Sequence, residues 1–138
     1  MCGISGFYGK VNDKEKTLKN MLKQIAYRGP DSSGTYFSDK LSMGMNRLSV
    51  VDIEGGGQPI YNEDKTVAVV FNGEIYNYIE LTEELKSKGH SFYTKCDTEV
   101  IVHLYEEYGE KFVDHLSGDF GLSIWDEKKE KLIIARDG

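Results

Sequence analysis

The first two residues of the sequence, Met1 and Cys2, could supply a nucleophile and a base together. The small side chain of Cys2 would permit removal of Met1, which would leave a thiol and a free α-amine on one residue. The unperturbed amine titrates at about 7.7–8.0, so much of it is basic near neutral pH. Such an amine can take the thiol proton directly or through one water molecule. The alternative interpretation is that Cys2 is simply a small residue at the start of a first strand.

A second candidate is the Asn72-Gly73 pair, which directly follows the apolar run of residues 67–71. Asn-Gly is a strong signal for a two-residue hairpin turn, because both central residues of that turn need a positive φ angle. A side-chain amide and a glycine N–H held together at a tight bend would also offer two hydrogen-bond donors to a developing oxyanion. The two interpretations are compatible, since one bend could hold both donors in place.

Arg47 and Asp97 are two charged residues with candidate roles in binding. Arg47 continues the alternation of an apolar strand face, so it is predicted to be a half-buried cation that needs an anionic partner. Asp97 directly precedes a predicted helix, where the default role of an aspartate is to cap the helix N-terminus. In the alternative role, its fixed carboxylate would bind an ammonium group.

The apolar periodicity distributes these residues over strands and helices. Strands are predicted at 3–9, on both sides of 38–40, and at 67–71, 91–95, 120–124 and 132–135; helices are predicted after Asp13, Asn77 and Asp97, with a short helical piece at 111–116. The run at 67–71 has no polar alternation, so it is expected to be buried on both faces. Because the strands form antiparallel-looking groups and the helices come in blocks, the predicted fold is α+β, with sheet packed on sheet and helices outside.

Length and composition favour one globular domain covering residues 1–138, with 39% hydrophobic and 29% charged residues. The net charge of −6 argues against binding to nucleic acid or to an anionic membrane. No apolar run approaches the roughly 18 residues of a membrane span, and no signal segment precedes Met1. We therefore expect a cytoplasmic location, with Cys2 and Cys96 as reduced thiols.

The spacing of residues does not support three other kinds of site. His90, His103 and His115 show no metal-ligand spacing with one another or with either cysteine, so no metal site is predicted. The glycine run at 55–57 is not followed by the residues of a phosphate loop. No serine-hydrolase elbow occurs.

Five motifs occur in the order and approximate spacing of one protein family. They are Cys2, Arg28-Gly29-Pro30-Asp31, Arg47-Leu48-Ser49-Val50-Val51-Asp52, Asn72-Gly73-Glu74-Ile75-Tyr76-Asn77-Tyr78 and Gly118-Asp119-Phe120. The whole chain resembles the glutaminase domain of the class II, N-terminal-nucleophile (Ntn) glutamine amidotransferases, and within that family it is most similar to the glutamine-hydrolysing asparagine synthetases. The resemblance implies an Ntn-hydrolase fold, a four-layer αββα sandwich of two antiparallel sheets between helical layers.

The resemblance also implies catalytic roles for three residues. Cys2 matches the nucleophile of the family, with its own α-amine as general base. Asn72 and Gly73 match the oxyanion hole, through a side-chain amide and a backbone N–H respectively.

Three further residues match positions that bind the two charged ends of glutamine. Arg47 matches the residue that pairs with the α-carboxylate, where a planar, bidentate guanidinium suits the anion. Glu74 and Asp97 match positions that hold the α-ammonium group.

The implied function is hydrolysis of glutamine to glutamate and ammonia, with the ammonia supplied for asparagine synthesis from aspartate and ATP. Members of the family continue past Arg136-Asp137 with further glutaminase strands, so the glutaminase domain is expected to be incomplete at its C-terminus. The synthetase domain that follows in the family, which would bind ATP and Mg²⁺, is not found in these residues. The glutaminase domain itself is expected to need no cofactor. Its expected partners are glutamine and the synthetase domain, with a homodimer left open. The alternative function is a non-catalytic glutamine-binding or regulatory module of the same fold.

Overall fold

The computed structural model describes residues 3–29, 32–47 and 57–138, apart from the side chains of Ser32 and Arg47. The strands are Gly3–Tyr8 (β1), Ser32–Phe37 (β2), Leu41–Arg47 (β3), Ile60–Tyr61 (β4), Val67–Ile75 (β5), Gly118–Asp126 (β6) and Lys131–Arg136 (β7). The α-helices are Lys14–Gln24 (α1), Tyr78–Ser87 (α2) and Glu99–Tyr108 (α3), and 3-10 helices cover Ala26–Arg28 and Gly109–His115. Within these described ranges, no helix has the length and apolar character that crossing a membrane requires.

The strands form two antiparallel sheets. β3 is the central strand of a three-stranded sheet with the order β1-β3-β2, and the second sheet has the order β4-β5-β6-β7. The β2–β3 turn is closed by Ser38, which donates its N–H to the carbonyl of Leu41 and accepts the N–H of Leu41 on its hydroxyl. This hairpin and the β6–β7 hairpin confirm the two strand pairs predicted from the sequence.

The two sheets pack face to face through alternate residues of their central strands. The buried layer between them contains Leu41, Met43 and Met45 of β3, Ala68 and Val70 of β5, and Trp125 of β6. Burying a side chain the size of leucine or methionine stabilises the fold by about 1.5–3 kcal/mol. This layer therefore fixes β1, which pairs with β3, relative to β5.

Helices cover the outer faces of both sheets. Val67, Val69 and Phe71 of β5 pack into the core that α2 and α3 share with the second sheet. On the other side, α1 packs on the first sheet, and the side-chain amide of Asn46 donates a hydrogen bond to the carbonyl of Leu22. β5 is thus buried on both faces, as its apolar run predicts. The predicted four-layer α+β sandwich is confirmed.

Strand β5 is longer than the sequence predicts. The Asn72-Gly73 pair is expected to end the strand at a hairpin turn, but β5 continues to Ile75, and Gly73 pairs with Phe120 of β6. Gly73 adopts a φ angle of +142°, which glycine tolerates because it has no Cβ. The hairpin interpretation is therefore wrong, since the glycine distorts the strand without ending it.

The segment 91–95, predicted as a strand, has no strand structure. A buried carboxylate takes the N–H groups that a neighbouring strand would need: Glu99 accepts hydrogen bonds from the backbone nitrogens of Tyr93, at 3.0 Å, and Thr94, at 2.7 Å. The segment forms a loop tied to the first turn of α3.

Two of the three predicted helix caps differ in the structure. Asp13 caps α1 as predicted, through a hydrogen bond to a backbone N–H of the first turn. Asn77 occupies the N-cap position of α2, but its side chain bonds the 115–117 segment instead of the helix. Thr98 occupies the N-cap position of α3, so Asp97 is not the cap residue.

Candidate active site

The backbones of β5 and β6 approach each other closely at two glycines. A Cβ added to Gly73 would lie 2.0 Å from the carbonyl oxygen of Asp119 and 2.7 Å from the Cα of Phe120. A Cβ added to Gly118 would lie 2.0 Å from the carbonyl oxygen of Glu74. No side chain fits at either position without moving backbone, so the conformation of the Asn-Gly-Glu segment depends on both glycines.

The N–H of Gly73 lies between two backbone N–H groups that are bound by side chains. Phe71 donates its N–H to Oε1 of Gln58 at 2.6 Å, and Ile75 donates its N–H to Oδ2 of Asp97 at 2.9 Å. In an antiparallel ladder, alternate residues direct their N–H groups to the same edge. This alternation predicts that the N–H of Gly73 is directed to the edge of β5 that faces away from β6.

That edge of β5 has no paired strand beside Gly73 in the described part of the chain. β4 consists of Ile60–Tyr61, which pairs with β5 only at residues 68–69. Towards the C-terminal end of β5, the side chains of Gln58 and Asp97 take the place of a neighbouring strand. Gly73 lies between these two side chains, and neither they nor β4 bonds its N–H in the described residues.

Asn72 and Glu74 flank this N–H on the opposite face of the strand from the helices. Phe71 and Ile75 both belong to the core that β5 shares with α2 and α3. Alternation along the strand therefore places Asn72 and Glu74 on the same side as Val70, which packs between the two sheets. Asn72 is half-buried and Glu74 is exposed.

Asp97 is a half-buried carboxylate beside the end of β5. Burial raises the pKa of Asp97, because removing water disfavours the charged form of the carboxyl. Its loop is fixed by Glu99, which also accepts the hydroxyl of Thr94 at 2.7 Å. The carboxylate is thus held by the N–H of Ile75, in a place where a cationic group would favour its ionised form.

The start of β1 is buried beside the turn that follows α1. Gly3 is buried and pairs with Asn46 of β3. A Cβ at Gly3 would lie 3.1 Å from Cδ1 of Ile25 and 3.3 Å from Cδ of Arg28, so the glycine fits closely against these side chains. The predicted buried start of the chain is confirmed for Gly3, and Cys2 lies outside the described residues.

Arg47 ends β3, and its backbone pairs with Ser32 of β2. It directly follows Asn46, the partner of Gly3. The sequence therefore brings the backbone of the candidate carboxylate-binding residue next to the start of β1. The predicted position of the Arg47 side chain lies outside what the structure describes.

One residue that organises the site, Gln58, is absent from the sequence prediction. Its side chain holds the N–H of Phe71, and its backbone packs so tightly on β2 that a Cβ at Gly34 would lie 1.7 Å from its carbonyl oxygen. The only sequence signal is a Gly-Gln-Pro turn before an apolar strand, which predicts a loop but not the residue that Gln58 contacts.

The structure brings four of the predicted site residues together. Asn72, Gly73 and Glu74 are neighbours on β5, and Asp97 joins them through its hydrogen bond to Ile75.

Comparison with known proteins gives one family model and several related sequences. A family model described as a glutamine amidotransferase domain matches residues 1–138. Asparagine synthetase [glutamine-hydrolyzing] 1 of Bacillus subtilis is 44% identical over 99% of this chain and 22% of its own length. Asparagine synthetase [glutamine-hydrolyzing] 3 of Arabidopsis thaliana is 46% identical over 99% of this chain and 24% of its own length. The chain thus spans about a quarter of the length of these relatives.

Solved structures with similar folds include two enzymes. Glutamine phosphoribosylpyrophosphate amidotransferase from B. subtilis, complexed with ADP and GMP, has a TM-score of 0.74 and 21% identity, over 99% of this chain and 36% of that chain. A structure described as the allosteric regulatory enzyme of purine biosynthesis has a TM-score of 0.58 and 27% identity, over 72% of this chain and 24% of that chain. The first likeness concerns the fold, and it agrees with the Ntn-hydrolase sandwich expected from the sequence.

The family model matches every residue of the chain, and the two relatives are 44% and 46% identical to it over 99% of its length. The chain belongs to the glutamine amidotransferase domain family.

Proposed function

We propose that this domain hydrolyses glutamine to glutamate and ammonia through a thioester on Cys2. The proposal rests on the position of Gly73 in β5, between the anchored N–H groups of Phe71 and Ile75, where the alternation of the ladder directs its N–H to the edge away from β6. A preorganised N–H of this kind can stabilise the negative charge that develops on a carbonyl oxygen during acyl transfer. Membership of the glutamine amidotransferase family gives the reaction class.

The nucleophile in this proposal is the thiol of Cys2, after removal of Met1. The α-amine takes the thiol proton, and the thiolate adds to the carboxamide carbon of glutamine. The protonated amine then gives its proton to the departing nitrogen, so that ammonia leaves and a thioester remains. Water attacks the thioester carbon and releases glutamate and the free thiol. Support comes from the buried start of β1 at Gly3, which would keep the first residue against the sheet.

Asn72 and Gly73 form the proposed oxyanion hole. The side-chain amide of Asn72 and the N–H of Gly73 come from adjacent residues, so both donors are set by the same stretch of β5. The close packing of Gly73 on β6 fixes that stretch before substrate arrives. A donor that does not have to reorganise is worth far more in a low-dielectric site than in water.

The charged ends of glutamine define the remaining roles. We assign Arg47 to the α-carboxylate, and Glu74 and Asp97 to the α-ammonium. The raised pKa of Asp97, caused by its burial, supports this assignment because an ammonium would supply the positive charge that the buried carboxylate lacks.

We further propose that the ammonia is used for asparagine synthesis in a synthetase domain, which would bind ATP and Mg²⁺. The support is the identity of 44% and 46% to two asparagine synthetases, over the parts of them that this chain matches. The glutaminase domain needs no cofactor for its own reaction in this account. A cytoplasmic location remains a prediction from the sequence, and a homodimer stays open.

A steady-state assay of both products tests the proposal. Wild-type protein should release glutamate and ammonia in equal amounts. Cys2→Ala should release neither, while isothermal titration should still detect glutamine binding. If wild-type protein binds glutamine without releasing ammonia, the alternative of a non-catalytic binding module replaces this account.

A further inference from the structure

A cluster of two histidines and two glutamates lies on the helix side of the second sheet, and none of its members is a candidate active-site residue. Glu63 comes from the β4–β5 turn, His90 from the segment after α2, and His103 and Glu106 from α3. One ligand atom from each of the four residues lies within 4.8 Å of every other. The fold thus brings side chains from three separate segments close together.

The spacing of these atoms matches neighbouring ligands of one metal ion. Nδ1 of His103 is 2.8 Å from Oε1 of Glu63 and 3.4 Å from Oε1 of Glu106, and Nδ1 of His90 is 3.1 Å from Oε1 of Glu63. Ligand atoms at about 2.0–2.2 Å from Zn²⁺ are separated from each other by about 2.9–3.5 Å in tetrahedral or slightly compressed geometry. Nδ1 of His90 is 4.0 Å from Oε1 of Glu106, a separation that a small rotation of the exposed glutamate would shorten. The His90–His103 and Glu63–Glu106 pairs lie within 4.8 Å.

Both histidines are oriented by carboxylates on their other ring nitrogen. Nε2 of His90 lies 2.7 Å from Oε1 of Glu107, and Nε2 of His103 lies 2.9 Å from Oε2 of Glu99. In a singly protonated ring, a carboxylate at Nε2 favours the tautomer with its proton on Nε2, which would direct the lone pair of Nδ1 to the cluster. Nδ1 of His90 would then give up its hydrogen bond to Glu63 when a metal ion binds. Carboxylate–histidine pairs of this kind typically orient metal ligands and raise their basicity.

His103 supplies a second, independent indication of a ligand. Its side chain is completely buried, and within the described residues its Nδ1 has no hydrogen-bond partner. The nearby oxygen of Glu63, although only 2.8 Å away, does not make a hydrogen bond with it. A buried nitrogen without a partner carries a free-energy penalty that a metal ion would remove.

The charges in the cluster also favour a cation. Four glutamates, at positions 63, 99, 106 and 107, surround two histidines that are neutral when each carries one proton. The carboxylates of Glu63 and Glu106 both lie beside Nδ1 of His103, at 2.8 Å and 3.4 Å. A divalent cation between the two carboxylates would offset their mutual repulsion.

We propose that Glu63, His90, His103 and Glu106 bind one divalent transition-metal ion, with Zn²⁺ as the best match to the donor set. Two imidazoles and two carboxylates suit Zn²⁺ and its first-row neighbours better than Ca²⁺ or Mg²⁺, which prefer all-oxygen sites. Glu63 and Glu106 are partly exposed, so the ion has a path from solvent.

The ion would join the β4–β5 turn to α3 and to the end of α2. Glu99, which orients His103, also holds the loop before Asp97. Metal binding would therefore stabilise the segment that presents Asp97, without taking part in glutamine hydrolysis. The sequence gives no ligand spacing for this site, because its members meet only after the chain has folded.

Co²⁺ titration of the full-length protein, followed by its visible absorption, tests the site directly. Wild-type protein should bind one more equivalent of Co²⁺ than His90→Gln. Excess Zn²⁺ should displace this additional Co²⁺ ion and raise the melting temperature of wild-type protein. Glu106→Gln should lose the same equivalent, and Glu107→Gln should weaken binding by about 10–100-fold, since it removes only an orienting partner. His115→Gln is the matched control, because His115 stacks on Tyr108 outside the cluster and should keep full binding.

The proposal is overturned if wild-type protein and His90→Gln bind the same number of Co²⁺ ions with the same affinity. It is also overturned if wild-type protein binds no ion at the site and its melting temperature is independent of Zn²⁺, which would leave a proton-linked network of histidines and glutamates. Circular dichroism of each variant ensures that a lost equivalent is not a consequence of unfolding.

Discussion

The carboxylate of Asp97 accepts a hydrogen bond from the backbone N–H of Ile75, with 2.9 Å between Oδ2 and N. This bond ties the loop before α3 to the end of β5, two residues after Gly73. One side chain thus fixes the edge of the strand and presents a negative charge beside it. Its structural role and its proposed role in binding the α-ammonium can be separated by experiment.

Asp97→Asn and Asp97→Ala form the matched pair for that separation. The asparagine keeps an oxygen that can accept the N–H of Ile75, so its stability should stay near wild type, while loss of the charge raises the KM for glutamine. The alanine should also lose stability, by about 1.5–3 kcal/mol, because the bond to a charged acceptor is lost. Urea unfolding and glutaminase kinetics measure the two effects. An unchanged KM in Asp97→Asn would remove Asp97 from the substrate site.

The KM for glutamine should depend on pH through the same carboxyl. Because burial raises the pKa of Asp97, its ionised fraction falls at a higher pH than that of an exposed aspartate. The KM should therefore increase as the pH falls towards that raised pKa, and decrease again as the pH rises above it. Initial rates measured over a pH series give the KM profile. In Asp97→Asn, the increase in KM that comes from protonation of Asp97 should be absent.

Asn72→Ala tests the proposed oxyanion donor. Loss of one such donor typically costs about 2.7–4 kcal/mol of transition-state stabilisation, so kcat should fall by roughly a hundredfold or more. Asn72 is only half-buried, and the melting temperature should change little. Asn20→Ala on the exposed face of α1 is the control and should keep full activity. A decrease of less than about tenfold in kcat would contradict the assigned role.

Gly73→Ala should destabilise the domain and abolish turnover. The added Cβ would lie 2.0 Å from the carbonyl oxygen of Asp119, at a φ angle of +142° that alanine disfavours. Strained backbone of this kind costs about 1–3 kcal/mol, before any shift of β6 is included. Gly121→Ala is the control, because a Cβ there meets nothing within 4 Å. Chemical denaturation of both variants measures the difference, and equal stabilities would show that the close approach at Gly73 is unimportant.

Local periodicity is sufficient to predict most of the fold. The apolar alternation in β3 shows that one face of this strand is buried, and the unbroken apolar run in β5 shows that both faces of that strand are buried. Both patterns are local, so they can be read from the sequence. The Asn-Gly pair is likewise visible in the sequence, since a side-chain amide and a glycine N–H are the kinds of donor that an oxyanion hole needs.

Long-range hydrogen bonds account for what the sequence does not predict. Asn72-Gly73 reads as a turn, but pairing with β6 and close packing keep it in a strand. The 91–95 segment has strand-like residues, yet the carboxylate of Glu99 takes two of its N–H groups. Gln58 meets Phe71 only in the folded chain, and no local pattern specifies that contact.

Mass spectrometry of the intact protein, treated with an electrophilic glutamine analogue, tests the central claim most directly. The account predicts a chain that lacks Met1 and carries one adduct, mapped to Cys2 and blocked by excess glutamine. Cys96→Ser should label fully, because burial raises the pKa of the Cys96 thiol and leaves it unreactive, whereas Cys2→Ala should not label. A retained Met1, or labelling that glutamine does not block, would contradict catalysis by an N-terminal cysteine.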